Sequence, residues 1–543
     1  MSVRLNCVAC QSRKARLQLV PTMSENRERD GLAATTLLLM ERLDPETCYR
    51  ALQTHDERFD GRLFVGVTST GIYCRPVCPA RPAKLENCRF YSSAAAAQEA
   101  GFRPCLRCRP ETAPELGSWR GTSNTVSRGV ALIAEGELDG KDASVDGLAE
   151  RLGVGERQLR RLFQQHLGAS PVAVAQTRRV LFAKQLIHDT RLPMSEIALA
   201  AGFGSVRRFN ETFHDLFRRP PAALRRKPEG ALRAGSIATT GVTVRLRYRP
   251  PYDWPAMLAH LRARAIESIE HVAGEIYHRT VLLDGAMGTV EIAHLSDARS
   301  LSATIRFPNV RALPAIVARI RRVFDLGADV VAIGSHLARD RMLTSLIAAR
   351  PGLRTPGCWD GFELAARAVL GQQVTVAAGR RLAGELAHIC GTRMPVAQKD
   401  DPSLSLAFPT ARQVVDADLT RLGMPHARRR ALGAVARAAI DDPSVFEPLG
   451  SVEQTVQRLC SIEGVGEWTA HYIALRAARE PDAFPASDRG LLRGASLRTG
   501  TNIRPKELIE RAERWRPWRA YAAQHLWAAI ADPAPLHGEK DHA

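Results

Sequence analysis

The spacing of hydrophobic and polar positions changes character several times along the chain. Residues 1–39 mix charges with Thr and Leu and hold no period, which predicts a disordered tail. A helix-like stretch opens at Met40, and the text to 116 is short and turn-rich, with a strand-like Leu63–Val67. Gly117–Asn124 reads as a linker. Over 125–227 apolar residues recur at helical spacing in short amphipathic runs, predicting an all-α unit. Pro228–Gly241 is a second linker, expected to let the two halves act separately. Alternation then predicts strands at Val242–Tyr248, Ile276–Leu283, Thr289–His294 and Leu301–Arg306, with helices around Trp254–Ala265 and Ala315–Phe324. That mixture defines an α+β layer over 242–350, and 351–535 reads as helical.

At 543 residues the chain has room for three or four domains of roughly 100–200 residues each. Apolar residues make up 45% and the mean hydropathy is −0.18. No run approaches the roughly 18 apolar residues of a membrane span. Leu37–Met40 lacks the cleavage site of a signal peptide, so a cytoplasmic, nucleoid-associated location is expected. The net charge of +19 and pI near 9.9 put polyanions first among partners. Residues 151–227 hold fifteen Arg/Lys against five Asp/Glu, which makes that block the expected nucleic-acid surface.

Eight of eleven cysteines lie at or before Cys108, a distribution that points to metal or thiol chemistry in a cytosolic chain. Cys7 and Cys10 form an isolated C-x-x-C in the tail. Cys74 and Cys78 form a C-x₃-C, Cys105 and Cys108 a C-x₂-C, with 26 residues between the pairs. Four thiolates in two close pairs suit tetrahedral Zn2+. Cys48 and Cys88 fall outside the pairs and read as core residues. A closed Cys₄ site carries a charge of about −2, so its sulfurs stay electron-rich. Arg75, Arg81, Arg103, Arg107 and Arg109 are expected to bring a phosphate to them.

The text TSTGIYCRPVCPARPAKLENCRFY…GFRPCLRCRP resembles the amino-terminal domain of the Ada adaptive-response family over about residues 44–112. The resemblance implies that Cys74, Cys78, Cys105 and Cys108 bind zinc and that Cys74 accepts a methyl group from a methylphosphotriester in DNA. A purely structural ligand is the other reading of Cys74. The family's alkyltransferase part is not expected here, because no Pro-Cys-His occurs in the chain.

Leu148 and Ala149, a turn at Gly153, and a helix from about Gly155 with Arg157, Arg160 and Arg161 make a helix-turn-helix, whose second helix enters the major groove. A second copy runs from Ser195 through Gly202 to a helix at Ser205–Phe217 with Arg207, Arg208 and His214. Two copies about 50 residues apart, ending in FHDLFRRPPAALRR, resemble the AraC-type DNA-binding domain. The arginines serve as base readers, phosphate contacts or plain surface charges.

Further on, Leu459–Ala470 places Gly464 and Gly466 in a tight turn between apolar helices, a helix-hairpin-helix able to approach a DNA phosphate. Asp488 follows 22 residues after Gly466, on a loop between helices. RYRPPYDWPAMLAHLRARAIESIE, ARPGLRTPGCWDGFELAARAVLGQQVTVAAGRRLA and ERWRPWRAYAAQHLW resemble AlkA-type 3-methyladenine DNA glycosylases over about 300 residues. The resemblance implies that Asp488 is the catalytic carboxylate, that Trp468, Tyr472 and Trp527 line a pocket for a cationic flipped base, and that Gln373 stands where the family has a leucine wedge. A helix N-cap is the other reading of Asp488, and core packing that of the aromatics. Gln373, Glu463 in place of a proline and Arg489 in place of an aromatic are departures bearing on duplex insertion and substrate breadth. Trp468 stands where lyase-type relatives carry a lysine, and no cysteine follows Cys460, so neither Schiff-base chemistry nor an iron–sulfur cluster is expected.

The expected organisation is multidomain: a small zinc-stapled α+β module (40–116), an all-α AraC-like double helix-turn-helix (125–227), an α+β, TBP-like layer (242–350) and an all-α helix-hairpin-helix glycosylase domain (351–535). The expected function is DNA alkylation repair and adaptive-response regulation. It combines a monofunctional glycosylase acting on alkylated purines in double-stranded DNA with stoichiometric methyl acceptance by Cys74. The methylated protein then acts at promoter DNA, with RNA polymerase as partner. The alternative is a pure transcription regulator whose glycosylase half is a DNA-binding platform.

Overall fold

The computed structural model describes residues 44–114, 124–139, 143–225, 241–395 and 401–531. The tail at 1–39, with Cys7 and Cys10, and nearly all of both linkers lie outside the described residues. Among the described residues, no helix is long and apolar enough to cross a membrane.

The first module opens with α1 (Pro45–Gln53), followed by β1 (Phe64–Val67), β2 (Ile72–Cys74), β3 (Cys88–Tyr91), α2 (Ala94–Glu99) and β4 (Arg103–Pro104). The strands order β3-β1-β2-β4, with β1 antiparallel to both of its neighbours and β2 parallel to β4. The parallel pairing matters because Ile72 lies opposite Arg103, so the two strands deliver Cys74 and Cys105 at the same end of the sheet. Gly66 leaves room for the Phe102 ring, which a Cβ there would meet at 2.9 Å. Cys48 and Cys88 are buried as expected.

Helices α3 (Asn124–Glu135), α4 (Val145–Arg151), α5 (Glu156–Leu167), α6 (Pro171–Asp189), α7 (Met194–Ala200) and α8 (Val206–Phe217) form the all-α unit. α5 buries Leu159, Phe163 and Leu167, and α8 buries Phe209, Phe213 and Phe217, the i, i+4, i+8 spacing that puts one stripe into a core. Ser205 caps α8 by accepting from the Arg208 N–H at 3.1 Å.

β5 (Val242–Arg247), α9 (Trp254–Arg264), β6 (Glu270–Ala273), β7 (Ile276–Leu283), β8 (Ala286–Leu295), β9 (Ser300–Arg306) and α10 (Leu313–Val323) build the α+β layer. Its antiparallel sheet orders β5-β9-β8-β7-β6. Strand β6 escapes a pattern reading because it is a four-residue edge strand opening on buried Glu270. Two more helices, α11 (Val330–Leu337) and α12 (Arg341–Ala349), also fall within a stretch where the sequence pattern assigns none.

The rest contains α13 (Gly361–Leu370), α14 (Val376–Cys390), the short pair β10 (Thr392–Arg393) and β11 (Leu406–Ala407), then α15 (Ala411–Asp416), α16 (His426–Asp441), α17 (Val452–Cys460), α18 (Glu467–Arg476), α19 (Arg489–Thr499), α20 (Pro505–Ala512) and α21 (Arg519–Ala531). The β10–β11 ribbon is the one departure from an all-α reading among these described residues. Two apolar cores form: one includes residues of α13, α14 and α16–α18, the other residues of α11, α12 and α19–α21, and Trp527 packs against both.

The halves do not stay apart. The buried cluster holding Ile187, Phe209 and Phe213 continues into Val244, Ile305 and Ile316. The Gln185 side chain donates to the Arg245 carbonyl at 2.8 Å, and Arg151 bonds Glu447 at 2.6 Å. Asp329 accepts from both Arg62 and Arg249, tying the first module to the α+β layer. The expectation of separately acting halves is therefore corrected: apolar surface on α6–α8 that a free unit would expose is buried against β5 and its neighbours, and burial of that kind favours docking.

Candidate functional site

Cys74 ends β2, Cys78 lies in the turn after it, Cys105 follows β4, and Cys108 sits in the next loop. Their four sulfurs lie within 4.8 Å of one another, with Cys78, Cys105 and Cys108 buried and Cys74 half-buried. Backbone N–H groups point at sulfur: Arg75 toward Cys108 at 3.4 Å and Arg107 toward Cys105 at 3.3 Å. Such donors favour thiolates, and a compact all-sulfur set fits Zn2+. Cys74 is the most accessible of the four, which suits a sulfur that must meet an external group.

Two of the five arginines expected to hold a phosphate are committed elsewhere. The Arg75 guanidinium is buried, pairs with Asp60 and donates to the Cys108 carbonyl at 3.0 Å. Arg109 bonds Glu111 at 2.9 Å and Asp189 at 3.1 Å. Both arginines brace the metal loop from inside, while Arg81 and Arg107 are exposed and Arg103 half-exposed. Lys184 of α6 is fully buried, donating to Glu111 at 2.7 Å and to the Cys105 carbonyl at 2.9 Å. Burial lowers the Lys184 pKa, while Glu111 beside it acts in the opposite direction. For Glu111 burial opposes ionisation, but Lys184 and Arg109 hold its pKa below the usual range.

In the helical unit Arg157, Arg160 and Arg161 on α5 and Arg207, Arg208 and His214 on α8 are all exposed. Arg160 pairs with Glu156, and Arg207 with Glu211, each one turn away on its own helix. Exposed pairs of this kind are worth little and open readily to a phosphate.

The third site stands where the two helical cores meet. α17 and α18 flank the hairpin; Gly464 has φ +79°, and a Cβ there would lie 2.3 Å from that of Ala431, so the turn closes against α16. Gly466 starts α18 in open space. Asp488 is the N-cap of α19, accepting from the Leu491 N–H at 3.0 Å. The same carboxylate also accepts from the indole N–H of Trp468 at 2.9 Å and of Trp527 at 2.8 Å. The N-cap reading of Asp488 therefore holds, and its carboxylate is half-exposed at the head of a helix dipole. Trp468 stacks on Tyr472 at 5.5 Å and 9°.

Behind the aromatics, Arg476 is buried 5.2 Å from the Trp527 ring centre and 5.8 Å from that of Tyr472, with burial pulling its pKa to about 10. Burial would raise the Tyr472 phenol, but Arg264 and Arg476 hold it below its ordinary value. His471, whose pKa burial lowers, accepts the Phe484 N–H at 3.2 Å and anchors the loop that carries Asp488. Gly490, unremarked in the sequence, has little room for a side chain: a Cβ there would meet Asp488 Oδ1 at 2.8 Å and the Trp527 ring at 3.0 Å.

Gln373 is exposed at the tip between α13 and α14, with φ +57°. Its neighbour Gln372 donates to the Gly464 carbonyl at 3.0 Å and to Thr469 at 3.1 Å, fixing the tip beside the hairpin. Glu463 pairs with Arg430 and Arg489 is exposed. A separate cavity of about 970 Å³, lined by Arg128, Glu135, Arg322, Trp359 and Glu480, lies between the halves and includes none of the Asp488 cluster.

A cysteine-rich module, two helix-turn-helix units and a helix-hairpin-helix with an acid facing an aromatic cluster define a nucleic-acid protein that joins a DNA-binding front to a glycosylase-type fold. Residues 47–111 match the metal binding domain of Ada, 148–227 a helix-turn-helix domain and 243–360 the AlkA N-terminal domain. The chain is 39% identical over 490 residues to a probable bifunctional transcriptional activator/DNA repair enzyme AlkA of Mycobacterium tuberculosis, covering 90% of this chain and 97% of that one. It is 37% identical to Escherichia coli DNA-3-methyladenine glycosylase 2 over 52% of this chain and 95% of that one. It is 33% identical to the E. coli bifunctional activator/repair enzyme Ada over 24% of this chain and 35% of that one. The chain belongs to the family of bifunctional transcriptional activator/DNA repair enzymes that fuse an Ada-type front to an AlkA-type glycosylase.

Proposed function

We propose that the chain senses and repairs alkylated DNA, with four parts at 40–116, 125–227, 242–350 and 351–535. In the glycosylase half, a purine alkylated on a ring nitrogen already carries positive charge and leaves without strong acid help. Asp488 then stabilises the positive charge developing on the sugar and guides water to it. The observation that carries this reading is the Asp488 carboxylate held by two indole N–H groups and a backbone N–H, which fixes its oxygens before substrate arrives. Trp468, Tyr472 and Trp527 offer electron-rich faces to the cationic base. Gly464 and Gly466 seat the phosphate backbone, and Gln373 at its loop tip enters the space left by the flipped base. Trp468 in place of a lysine supports hydrolysis without strand cleavage.

In the front half, the Cys74 sulfur attacks the methyl carbon of a methylphosphotriester; the S–C bond forms as the C–O bond breaks, and the phosphodiester leaves as an anion. Bound zinc supplies thiolate character at neutral pH. Cys78, Cys105 and Cys108 would hold Cys74, the most accessible of the four, on the metal. Loss of one negative charge at Cys74 lessens repulsion from DNA by about 1 kcal/mol at 4 Å even in water. The gain adds to phosphate contacts from Arg157, Arg160, Arg161, Arg207 and Arg208 at a promoter, where RNA polymerase is recruited in the nucleoid. The test is Asp488→Asn: release of methylated purine should fall by about 10²-fold or more while methylated duplex is still bound. Release at the wild-type rate would leave the glycosylase half as a binding platform.

A further inference from the structure

Away from every site above, β6, β7 and the loop before β11 bring three metal-type ligands together. His271 and His278 are register partners across the β6–β7 pair, and their rings stack at 4.7 Å and 8°. His271 Nε2 lies 3.2 Å from Asp401 Oδ2. One ligand atom from each of the three lies within 4.8 Å of the others, and all three side chains are half-buried. The carboxylate is itself oriented, because the Ser403 N–H donates to Asp401 Oδ1 at 2.9 Å. Ser403 Oγ also stands 3.5 Å from His271 Nδ1, the nitrogen left over when Nε2 faces Asp401.

We infer that His271, His278 and Asp401 form a second metal site, selective for a borderline divalent transition ion such as Zn2+. Two donors each about 2.1 Å from one ion stand at most about 4.2 Å apart, so a set whose atoms lie within 4.8 Å of one another needs only a small inward movement to close. Two imidazoles and one carboxylate leave a fourth position open to water, and they favour zinc, nickel or copper over magnesium or calcium. A fixed carboxylate and a hydroxyl beside the second ring nitrogen are the outer partners that such ligands normally carry.

The placement gives the ion a structural consequence. β6 is an edge strand of the five-stranded sheet, and Asp401 meets it through His271. The segment after Asp401 is already joined to the layer by the Ser405 and Leu406 N–H groups, both donating to Ser268 at 2.9 Å. Thr280 adds a hydroxyl bond to the Leu406 carbonyl at 2.8 Å. An ion bridging His271, His278 and Asp401 clamps the sheet edge to the helical domain, far along the chain from the cysteine module and independent of its zinc.

The test is zinc content of the purified full-length protein after equilibrium dialysis against micromolar free zinc, together with X-ray absorption at the zinc edge. Two zincs per chain are expected, with a mixed sulfur and nitrogen/oxygen shell. One zinc and an all-sulfur shell are expected in His271→Ala, His278→Ala and Asp401→Asn. The absorption spectrum of the unsubstituted protein decides the matter even where a variant folds poorly. A single zinc with sulfur neighbours alone, or two zincs that survive all three substitutions, would overturn the site.

Discussion

Trp468 and Trp527 each do two things at once: the ring faces form the aromatic cluster and the N–H groups hold Asp488. Replacing either by Phe keeps most of the ring and deletes one donor. A hydrogen bond to a charged group is worth about 1.5–3 kcal/mol, so Trp527→Phe should cut the single-turnover rate of base release by about 10- to 100-fold while leaving duplex affinity near wild type. Single-turnover excision with a binding titration checks this. An unchanged rate would mean that the Trp468 indole and the backbone cap suffice to hold the carboxylate. Gly490→Ala acts on the same carboxylate by crowding, since the new methyl would meet both Asp488 and Trp527. It should lower excision with little change in unfolding midpoint, a combination that an unfolding curve beside the excision assay would expose.

Among elements, the hairpin between α17 and α18 is held to a narrow geometry at Gly464. Gly464→Ala combines a left-handed φ with a Cβ driven to 2.3 Å from Ala431, so the turn must move. A cost of about 1–3 kcal/mol is expected, read as a lower denaturation midpoint and weaker binding to undamaged duplex. Binding and stability equal to wild type would show that this turn does not seat DNA.

The same elements show what the sequence could and could not reveal. Helices with an apolar stripe and a capping residue, such as α5 and α8, and alternating strands such as β7, were legible because period and caps are local. β6 was not, being four residues long and opening on a buried glutamate whose partners Arg279 and Arg367 lie on other elements. Cysteine spacing revealed the metal loop, yet the inward turn of Arg75 and Arg109 depends on Asp60, Glu111 and Asp189, which the fold brings from elsewhere. His271 and His278, seven residues apart around a glycine turn, carried a signal that only the hairpin register makes readable.

At the scale of the whole molecule, the front and the glycosylase are joined through buried polar links as well as apolar surface. Glu111→Gln would leave buried Lys184 without its charged partner, and loss of a buried partner typically costs about 3–5 kcal/mol. Thermal unfolding should therefore drop, and zinc retention with it; unchanged values for both would show that this link carries no load. Glu480, beside the cavity between the halves, titrates at about 7 because burial raises it, against a lowering hydrogen bond from Thr455. A raised carboxyl favours the folded state most fully below its ordinary value near 4.5, and that contribution is lost as pH rises through about 7. Glu480→Gln should flatten this part of the stability profile between those two values, measurable as unfolding midpoints across pH. An unaltered slope would assign it to other groups.

One chain is expected both to excise alkylated purines and to accept a methyl group at Cys74. Purified full-length protein, incubated with methylated duplex DNA that carries methylphosphotriesters, permits both to be read from one sample by mass spectrometry of released bases and of the Cys74 peptide. Free methylated purine in many turnovers, with a single methyl group on Cys74 and none on Cys78, Cys105 or Cys108, is the predicted result. Intact methylated bases after prolonged incubation, or a Cys74 that stays unmodified while the DNA keeps its triesters, would contradict the account.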